Sequence, residues 1–336
     1  MTNTRRSFLA SLAAPLALPA AAPGTKMGVA TTCYLSVRRP RDAREFLEYC
    51  HGLGAGGIQA SLNNTTPEYL KALRSKAEEY GMFLEVMSGL PRTDNDEAFA
   101  RTLAAAKEIG ALCVRAACLG GRRYETFNTM DDWKKFVATS HAALRRAVPL
   151  AEKAKMPFAV ENHKDWTVEE FVAILKSYSS EYFGVCLDTG NNISLLDDPY
   201  EVVDRLAPYA FSTHIKDMAV EDYADGFLLA EVRFGEGMLD IPKIVDRIRA
   251  ARPKTRMTLE MITRDPLKVP CLTEKYWQTF PNANATRLAR TLKTARQAKH
   301  TKPLQMLTGL PSQAQWQLEE ENVKACLHYA RERLAL

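Results

Sequence analysis

This sequence lacks the features that define several common classes of protein. Its seven cysteines contain no CxxC pair and it has only six histidines, so a structural zinc site is not indicated. Lysine and arginine are scattered without a long basic run, and the formal net charge is only +5, so nucleic acid is not an expected partner. Outside the N-terminal segment, no apolar run is long enough to span a membrane.

The sequence is nevertheless rich enough in apolar residues to form a large core. Hydrophobic residues make up 46% of the 336 residues, and no low-complexity segment or short repeat interrupts them. The number of cysteines is odd, and Cys33, Cys113, Cys118 and Cys186 lie in or beside predicted strands. We therefore interpret the cysteines as buried thiols and not as a disulfide framework.

The N-terminal segment has the pattern of a twin-arginine export signal. Arg5 and Arg6 precede an apolar stretch from residue 8 to residue 18, and small residues follow it. This stretch is too short for a membrane-spanning helix. The alternative is an arbitrary N-terminus with no targeting function. We expect residues 1–25 to be the signal and the protein to be bacterial and periplasmic or otherwise exported, with no membrane contact beyond the export machinery.

Strand-like and helical patterns alternate along the rest of the chain. The predicted strands lie at 27–33, 57–60, 82–87, 113–118, 156–160, 183–187, 210–213 and 257–259. Eight strands separated by helices indicate repeated βαβ units. A doubly wound sheet is the competing architecture, but no GxGxxG motif follows the first strand. We predict an α/β fold, a (β/α)8 TIM barrel over residues 26–300.

Two predicted connections are unusually long, and one segment lies beyond the barrel. Residues 220–239 follow the seventh strand and residues 263–284 follow the eighth, so both would lie on the catalytic face, where long loops often act as lids. Residues 301–336 form a predicted C-terminal helical extension, with a helix at 312–334. Barrels of this kind often associate, and this helix could serve as an arm in a homo-oligomer.

Each of the last four predicted strands ends at a side chain that binds metal ions. The four residues are Glu161, Asp188, His214 and Glu260. The carboxyl ends of barrel strands meet at one face, where barrels keep their chemistry. Three carboxylates and one imidazole suit Mn²⁺, Mg²⁺ or Co²⁺ better than a structural zinc site. Taken alone, each residue could be an ion-pair partner, a helix cap or a core histidine, but the ordered set favours metal binding.

The residues around these four positions resemble a known family. The fragments that carry the resemblance are Glu161-Asn162-His163, Leu187-Asp188-Thr189-Gly190-Asn191, Thr213-His214-Ile215-Lys216-Asp217, Gly235-Glu236-Gly237 and Leu259-Glu260. They are similar to the xylose-isomerase-like TIM-barrel superfamily, within it the sugar (phosphate) isomerase/epimerase branch that includes ketose 3-epimerases and inosose dehydratases. The resemblance covers residues 27–300. It implies one divalent metal at the four residues, Mn²⁺ first and Mg²⁺, Co²⁺ or Zn²⁺ as alternatives.

The resemblance also implies that Glu161 and Glu260 exchange protons with a sugar from opposite sides. A metal that polarises the ketone turns the carbanion into an enediolate. Returning the proton on the other face gives epimerisation, returning it to the next carbon gives isomerisation, and expelling a β-substituent gives elimination. We expect a sugar isomerase or epimerase of carbohydrate metabolism, with a lyase or dehydratase acting on a keto-sugar, keto-glycoside or inosose as the alternative.

Two departures from the family pattern bear on the reaction and on the substrate. Asp188 is followed by Thr-Gly-Asn, where ketose 3-epimerases tend to carry a bulkier residue and a histidine. No recognisable phosphate-binding glycine loop follows the seventh or eighth strand, which favours an unphosphorylated sugar. Two other functions remain as alternatives. A related phosphodiesterase would need a multi-zinc cluster with more histidines, and a sugar-binding protein would bind without turnover.

Seven further residues are candidates for substrate contact. They are Arg115, His163, Trp166, Asn191, Lys216, Asp217 and Glu236. Arg115, together with Glu85, is expected to point into the barrel mouth. His163 could instead orient Glu161, Lys216 and Asp217 could pair with each other, and Trp166 could be a packing residue.

Overall fold

The computed structural model describes residues 24–35, 40–92, 96–282, 284–297 and 303–336. The predicted barrel is confirmed, because eight parallel strands within these ranges form one sheet that closes on itself. Their order in the sheet is β1 (Gly28–Ala30), β2 (Gly57–Ser61), β3 (Phe83–Met87), β4 (Val114–Ala116), β5 (Phe158–Glu161), β6 (Phe183–Asp188) and β7 (Ala210–His214), with β10 (Thr258–Leu259) beside β1. A parallel bridge between Ile215 and Leu259 closes the barrel.

Helices surround the barrel and follow its strands. They are α1 (Ala43–Gly52), α2 (Pro67–Tyr80), α3 (Glu97–Glu108), α4 (Arg123–Thr126), α5 (Met130–Ala154), α6 (Val168–Lys176), α7 (Pro199–Leu206) and α8 (Ile241–Ala251). Their starts follow from local sequence. The Asp42 carboxylate accepts the amide protons of Arg44 and Glu45 at the start of α1, and Thr167 forms a capping box with Glu170 at the start of α6.

The long connection after the seventh strand is a β-hairpin and not an irregular loop. Its strands β8 (Asp217–Tyr223) and β9 (Gly226–Val232) are antiparallel, and β9 also pairs with β11 (Leu267–Val269) from the connection after the eighth strand. Gly226 permits this close approach, since its φ is +154° and an added Cβ would lie 2.2 Å from the carbonyl oxygen of Val269. The hairpin therefore joins the two long connections into one structure.

The C-terminal segment packs against the barrel of its own chain. After α9 (Glu274–Trp277) and α10 (Ala285–Gln297), α11 (Ser312–Arg333) places Asn322 against both long connections. The Asn322 amide donates to Thr263 Oγ1 at 2.8 Å and accepts from Arg233 at 2.8 Å. Homo-oligomer formation through this helix stays a prediction, as does the boundary at residue 300, which lies outside the described residues.

Two further predictions concern the cysteines and the N-terminal segment. All seven cysteines are buried and unpaired, so the prediction of buried thiols is confirmed. Residues 1–23, which carry most of the predicted export signal, lie outside the described residues. Within the described ranges, no helix combines the length and the apolar character needed to cross a membrane.

Candidate metal centre and active site

Four strand ends bring Glu161, Asp188, His214 and Glu260 into one buried cluster. One ligand atom from each residue lies within 4.8 Å of the others. The parallel register explains the convergence, because Asp188 pairs directly with His214, and Glu161 ends the strand that pairs with β6. Each of the four residues is at most 4% exposed. This carboxylate cluster, as we call these four residues, is the arrangement that the sequence predicted.

The hydrogen bonds of Asp188 leave one oxygen available to a cation. Its Oδ1 accepts the amide protons of Gly190 at 2.8 Å and Asn191 at 2.7 Å. Its buried Oδ2 forms no hydrogen bond in the described structure, and its near neighbours are the Lys216 ammonium at 2.9 Å and His214 Nδ1 at 3.7 Å. Because this buried oxygen is held only by ionic contacts, a divalent cation fits in their place, and the geometry suits an atom that would ligate a metal.

His214 is oriented by a hydrogen-bonded chain inside the barrel. The Gln59 amide donates to Glu85 at 2.9 Å and to Ser212 at 3.1 Å, so its Oε1, 2.8 Å from His214 Nε2, is the acceptor. His214 Nε2 therefore carries a proton, and Nδ1 is the ring nitrogen that faces the carboxylates. Nδ1 lies 3.3 Å from Glu161 and 3.4 Å from Glu260. The three carboxylates and this nitrogen form a donor set suited to a divalent cation.

Cationic side chains surround the cluster and keep its glutamates ionised. Burial opposes ionisation of Glu161, but Arg115 at 3.1 Å and His214 outweigh it and hold the pKa of Glu161 below its usual range. Burial likewise opposes ionisation of Glu260, but His214 and Lys216, whose ammonium lies 2.5 Å away, hold the pKa of Glu260 well below normal. Both glutamates are therefore proton acceptors at neutral pH.

Neutral side chains fix the two glutamates in position. Thr32 Oγ1 donates to Glu260 Oε1 at 2.8 Å, and Asn191 Nδ2 donates to Glu161 Oε1 at 3.0 Å. Asn162 binds the backbone of Asp188 on both sides, donating to its carbonyl and accepting from its amide at 2.8 Å each. These contacts restrict the carboxylates to few orientations, which is a requirement for a general base.

Of the seven candidate substrate-contact residues, Arg115, Asn191 and Lys216 lie directly against the carboxylate cluster. His163 is half-buried in the connection after β5, and its Nδ1 has no hydrogen-bond partner in the described structure. Burial and the nearby Lys164 lower the pKa of His163 to about 4. At neutral pH this imidazole is uncharged.

The other three candidates have different surroundings. The Asp217 carboxylate accepts backbone amide protons, including those of Gly235 at 2.8 Å and Gly237 at 3.0 Å, and so organises the connection between β9 and α8. Glu236 is exposed in that connection. Trp166 is 3% exposed and packs against Trp133 with ring centroids 5.1 Å apart, as in its alternative interpretation as a packing residue.

Several residues that contact the cluster or its neighbours were not predicted from the sequence. They are Thr32, Gln59, Lys164, Ser212, Glu231 and Arg264. One signal was available in the sequence: Gln59 is a polar residue inside an otherwise apolar strand and is fully buried. Glu231 and Arg264 meet only because the hairpin folds over the barrel, so no local pattern marks them.

A parallel eight-stranded barrel with three carboxylates and an imidazole at its carboxyl-terminal face defines a barrel protein with a candidate metal centre. The xylose isomerase-like TIM barrel family matches residues 47–295, and the chain belongs to this family. Over 219 residues the chain is 26% identical to a 3-oxo-isoapionate decarboxylase of Pectobacterium atrosepticum, in an alignment that covers 63% of this chain and 75% of that protein.

Solved structures show the same fold. An L-ribulose 3-epimerase is similar with a TM-score of 0.54 and 16% identity, covering 92% of this chain and 96% of that chain. The IOLI protein with a bound zinc atom has a TM-score of 0.51 and 16% identity, covering 81% of this chain and 99% of that chain. At these identities the likeness concerns the fold alone.

Adding Mn²⁺ to protein stripped with EDTA is expected to raise its melting temperature, because an ion at 100 times its dissociation constant stabilises the folded state by about 2.7 kcal/mol. Asp188→Asn should abolish the increase, since it removes one ligand charge. Asp165→Asn is the matched control, because Asp165 is a buried acid outside the cluster. Differential scanning calorimetry measures the shift in each variant. An undiminished shift in Asp188→Asn would place the bound ion elsewhere.

Proposed function

We propose that this protein is a divalent-metal-dependent isomerase or epimerase of an unphosphorylated keto-sugar, with Glu161 and Glu260 as the proton carriers. The observation that carries the proposal is the placement of two ionised glutamates in one buried cluster with Asp188 and His214. When bound to these four residues, a divalent cation supplies the polarisation of a ketone that makes the neighbouring C–H bond acidic.

The two glutamates are suited to move a proton. Each is held by a neutral donor at one oxygen, Asn191 on Glu161 and Thr32 on Glu260. One carboxylate accepts the proton from the carbon beside the ketone, and the substrate becomes an enediolate. Epimerisation follows when the glutamate on the opposite face takes up a proton from solvent and gives it to the same carbon, while the first glutamate releases its proton. Isomerisation follows when the first glutamate returns its proton to the adjacent carbon.

A lyase reaction at the same site is the second candidate, and two observations support it. The curated relative described above is named a decarboxylase of a 3-oxo acid. Lys164 and Arg264, two cations that bind carboxylates well, lie near the cluster. In this reaction the C–C bond to the carboxylate breaks, CO₂ leaves, and the electron pair stays on the substrate as an enolate. One glutamate takes up a proton from solvent and passes it to that carbon.

We also propose that the protein is exported through the twin-arginine pathway to the periplasm, on the basis of the sequence at residues 4–22. This location agrees with an unphosphorylated substrate. Fractionation of cells that express the full-length chain tests the proposal, with Arg5→Lys/Arg6→Lys as the variant that should remain in the cytoplasm. Equal export of both forms would contradict it.

Hydrogen exchange in D₂O tests the proposed reaction. The Mn²⁺-loaded protein is incubated with a panel of ketoses, keto-sugars, keto-sugar acids and cyclitol ketones and followed by NMR and mass spectrometry. We expect deuterium at a carbon beside the ketone, with the exchange lost in EDTA. An isomer of unchanged carbon skeleton supports the isomerase or epimerase, and loss of water, an aglycone or CO₂ supports the lyase. Tight binding without any exchange would contradict both and indicate a sugar-binding protein.

A further inference from the structure

Three cations form a group beside the carboxylate cluster, and we call Lys164, Lys216 and Arg264 the cationic subsite. Lys216 and Lys164 both bind Asn191 Oδ1, Lys216 at 3.3 Å. The Lys216 ammonium also lies 3.8 Å from Glu231 Oε1, and Arg264 holds that same carboxylate with two nitrogens at 2.5 Å and 3.2 Å. Asn191 and Glu231 therefore hold the three cations close together.

The charges of this region balance before any divalent cation is counted, when His214 is taken as the neutral imidazole that a metal ligand must be. In the described structure, the cations are Arg115, Lys164, Lys216 and Arg264, and the carboxylates are Glu161, Asp188, Glu231 and Glu260. The Arg264 side chain is 30% exposed, and the other seven side chains are nearly or fully buried. Two more buried acids, Glu85 and Asp165, adjoin this region, and burial raises the pKa of each, that of Asp165 to about 7.

A divalent cation in the carboxylate cluster therefore leaves an excess of positive charge. In the structure the Lys216 ammonium pairs with Asp188 Oδ2 and Glu260 Oε2, and these two oxygens would become metal ligands. Buried charge without a counter-charge is costly, so the loaded site favours a ligand that brings negative charge. A neutral sugar would leave Lys216 and Lys164 with Glu231 as their nearby anion, and Arg264 already binds Glu231.

Two cavities at the carboxyl-terminal face differ in the chemistry of their walls. The larger cavity, about 610 Å³, has the cation Arg264 in its wall. The two carboxylates in the same wall have partners in the protein, since Glu125 pairs with Arg122 and Asp265 accepts the amide proton of Thr308.

The smaller cavity, about 330 Å³, is lined by the neutral polar groups of Thr31, Thr32, Ser61 and Asn63, and by Asp42, whose carboxylate is used to cap α1. Leu35 lines both cavities. Glu260 adjoins both walls, because Thr32 in one wall binds it and the Arg264 guanidinium in the other is near enough for the Glu260 charge to raise its pKa.

We propose that the substrate is a keto-sugar acid whose carboxylate binds the cationic subsite while its hydroxyl groups lie along Thr31, Thr32 and Ser61. The inference rests on the proposed function, because it concerns the same site. It names a substrate class, a sugar that carries both a ketone and a carboxylate. Ammonium and guanidinium groups bind carboxylates through charge-assisted hydrogen bonds, which are about twice as strong as neutral ones.

Matched pairs of ligands test this inference by direct binding. D-Fructose and 2-keto-D-gluconate differ by a carboxylate next to the ketone, and L-sorbose and 5-keto-D-gluconate differ by a carboxylate at the far end. Isothermal titration calorimetry on the Mn²⁺-loaded full chain should show the acid binding at least about tenfold tighter in one or both pairs. The second pair is needed because a carboxylate next to a ketone can also chelate the metal directly.

Lys164→Met should remove most of this preference and leave Mn²⁺ binding intact, since Lys164 contacts Asn191 and none of the four ligands. Arg264→Gln, at a partly exposed position, serves the same purpose if Lys164→Met does not fold. Lys268→Met is the matched control. Lys268 lines the larger cavity with Arg264, but it is exposed and lies over the Tyr223 ring. It should keep the preference.

The outcomes separate this inference from the proposed function. Equal affinity for acid and neutral ligands in both pairs would overturn the inference, and so would a preference that survives in both Lys164→Met and Arg264→Gln. Deuterium exchange into neutral ketoses without any acid preference would overturn the inference and leave the proposed function standing. Acid-selective binding that Lys164→Met removes, with no exchange into any substrate, would support the subsite and overturn the proposed reaction.

Discussion

Replacing Glu260 with glutamine is expected to lower turnover by about a thousandfold or more, because a positioned general acid or base contributes 10²–10⁴ and a metal-ligand charge is lost with it. The amide cannot accept a proton from carbon. It also removes one of the three negative charges that face His214 Nδ1. The measurement is the rate of deuterium incorporation and product formation by the Mn²⁺-loaded variant.

The barrel should remain folded in Glu260→Gln. The backbone of residue 260 is held by its amide, which donates to the Ile215 carbonyl at 3.2 Å where the barrel closes. A glutamine side chain still offers an oxygen to Thr32, and Lys216 keeps Asp188 and Glu231 as partners. Circular dichroism and the melting temperature of the metal-free protein check this point.

Two further variants test whether the activity loss is specific to the Glu260 carboxylate. Thr32→Val removes only the hydroxyl that holds Glu260, so its loss should be smaller, about tenfold, the value of one hydrogen bond to a charged group. Glu319 on α11 is equally buried, but its carboxylate accepts the amide proton of Leu35 and lies outside the cluster. Glu319→Gln should therefore keep nearly full activity. Full turnover by Glu260→Gln would rule out its assigned role.

The four members of the carboxylate cluster could be predicted from sequence because each follows a short apolar run. In a parallel barrel all strand ends meet at one face, so four such residues must converge once the fold is known. The fold itself follows from the alternation of strand and helix patterns. The pairing of Asp188 with His214 follows a register shift between Val185 and Cys186, which the sequence pattern does not show.

The partners of the cluster could not be predicted, because they come from distant parts of the chain. Gln59 reaches His214 from a strand 155 residues earlier, and Arg264 reaches Glu231 only because the hairpin folds back. The hairpin itself was predicted only as a long connection. Asp225-Gly226 at its turn is a hairpin signal that the prediction did not use, whereas the pairing of β9 with β11 depends on tertiary structure. The contacts of these residues are therefore set by tertiary structure and not by local sequence.

Arg123→Met is expected to lower the free energy of unfolding by about 3 kcal/mol or more, because removing one member of a buried charged group leaves its partners without compensation. The Arg123 side chain is fully buried, with its guanidinium carbon 3.6 Å from the Trp133 ring centroid and 4.2 Å from that of Phe280. It also pairs with Glu170 at 2.7 Å and binds the backbone and hydroxyl of Thr279.

These contacts tie α4, α5 and α6 to the connection after the eighth strand, so the loss should exceed that of an ordinary surface ion pair. Arg122→Met is the matched control, since Arg122 is adjacent and forms a half-exposed pair with Glu125 that contributes about 1 kcal/mol at most. The stability loss of Arg123→Lys should lie between those of Arg122→Met and Arg123→Met. Lysine keeps the positive charge, but it cannot stack on the aromatic rings or donate two parallel hydrogen bonds as a guanidinium does. Urea denaturation measures all three. Equal losses for Arg122→Met and Arg123→Met would mean that the stacked guanidinium does not hold these elements together.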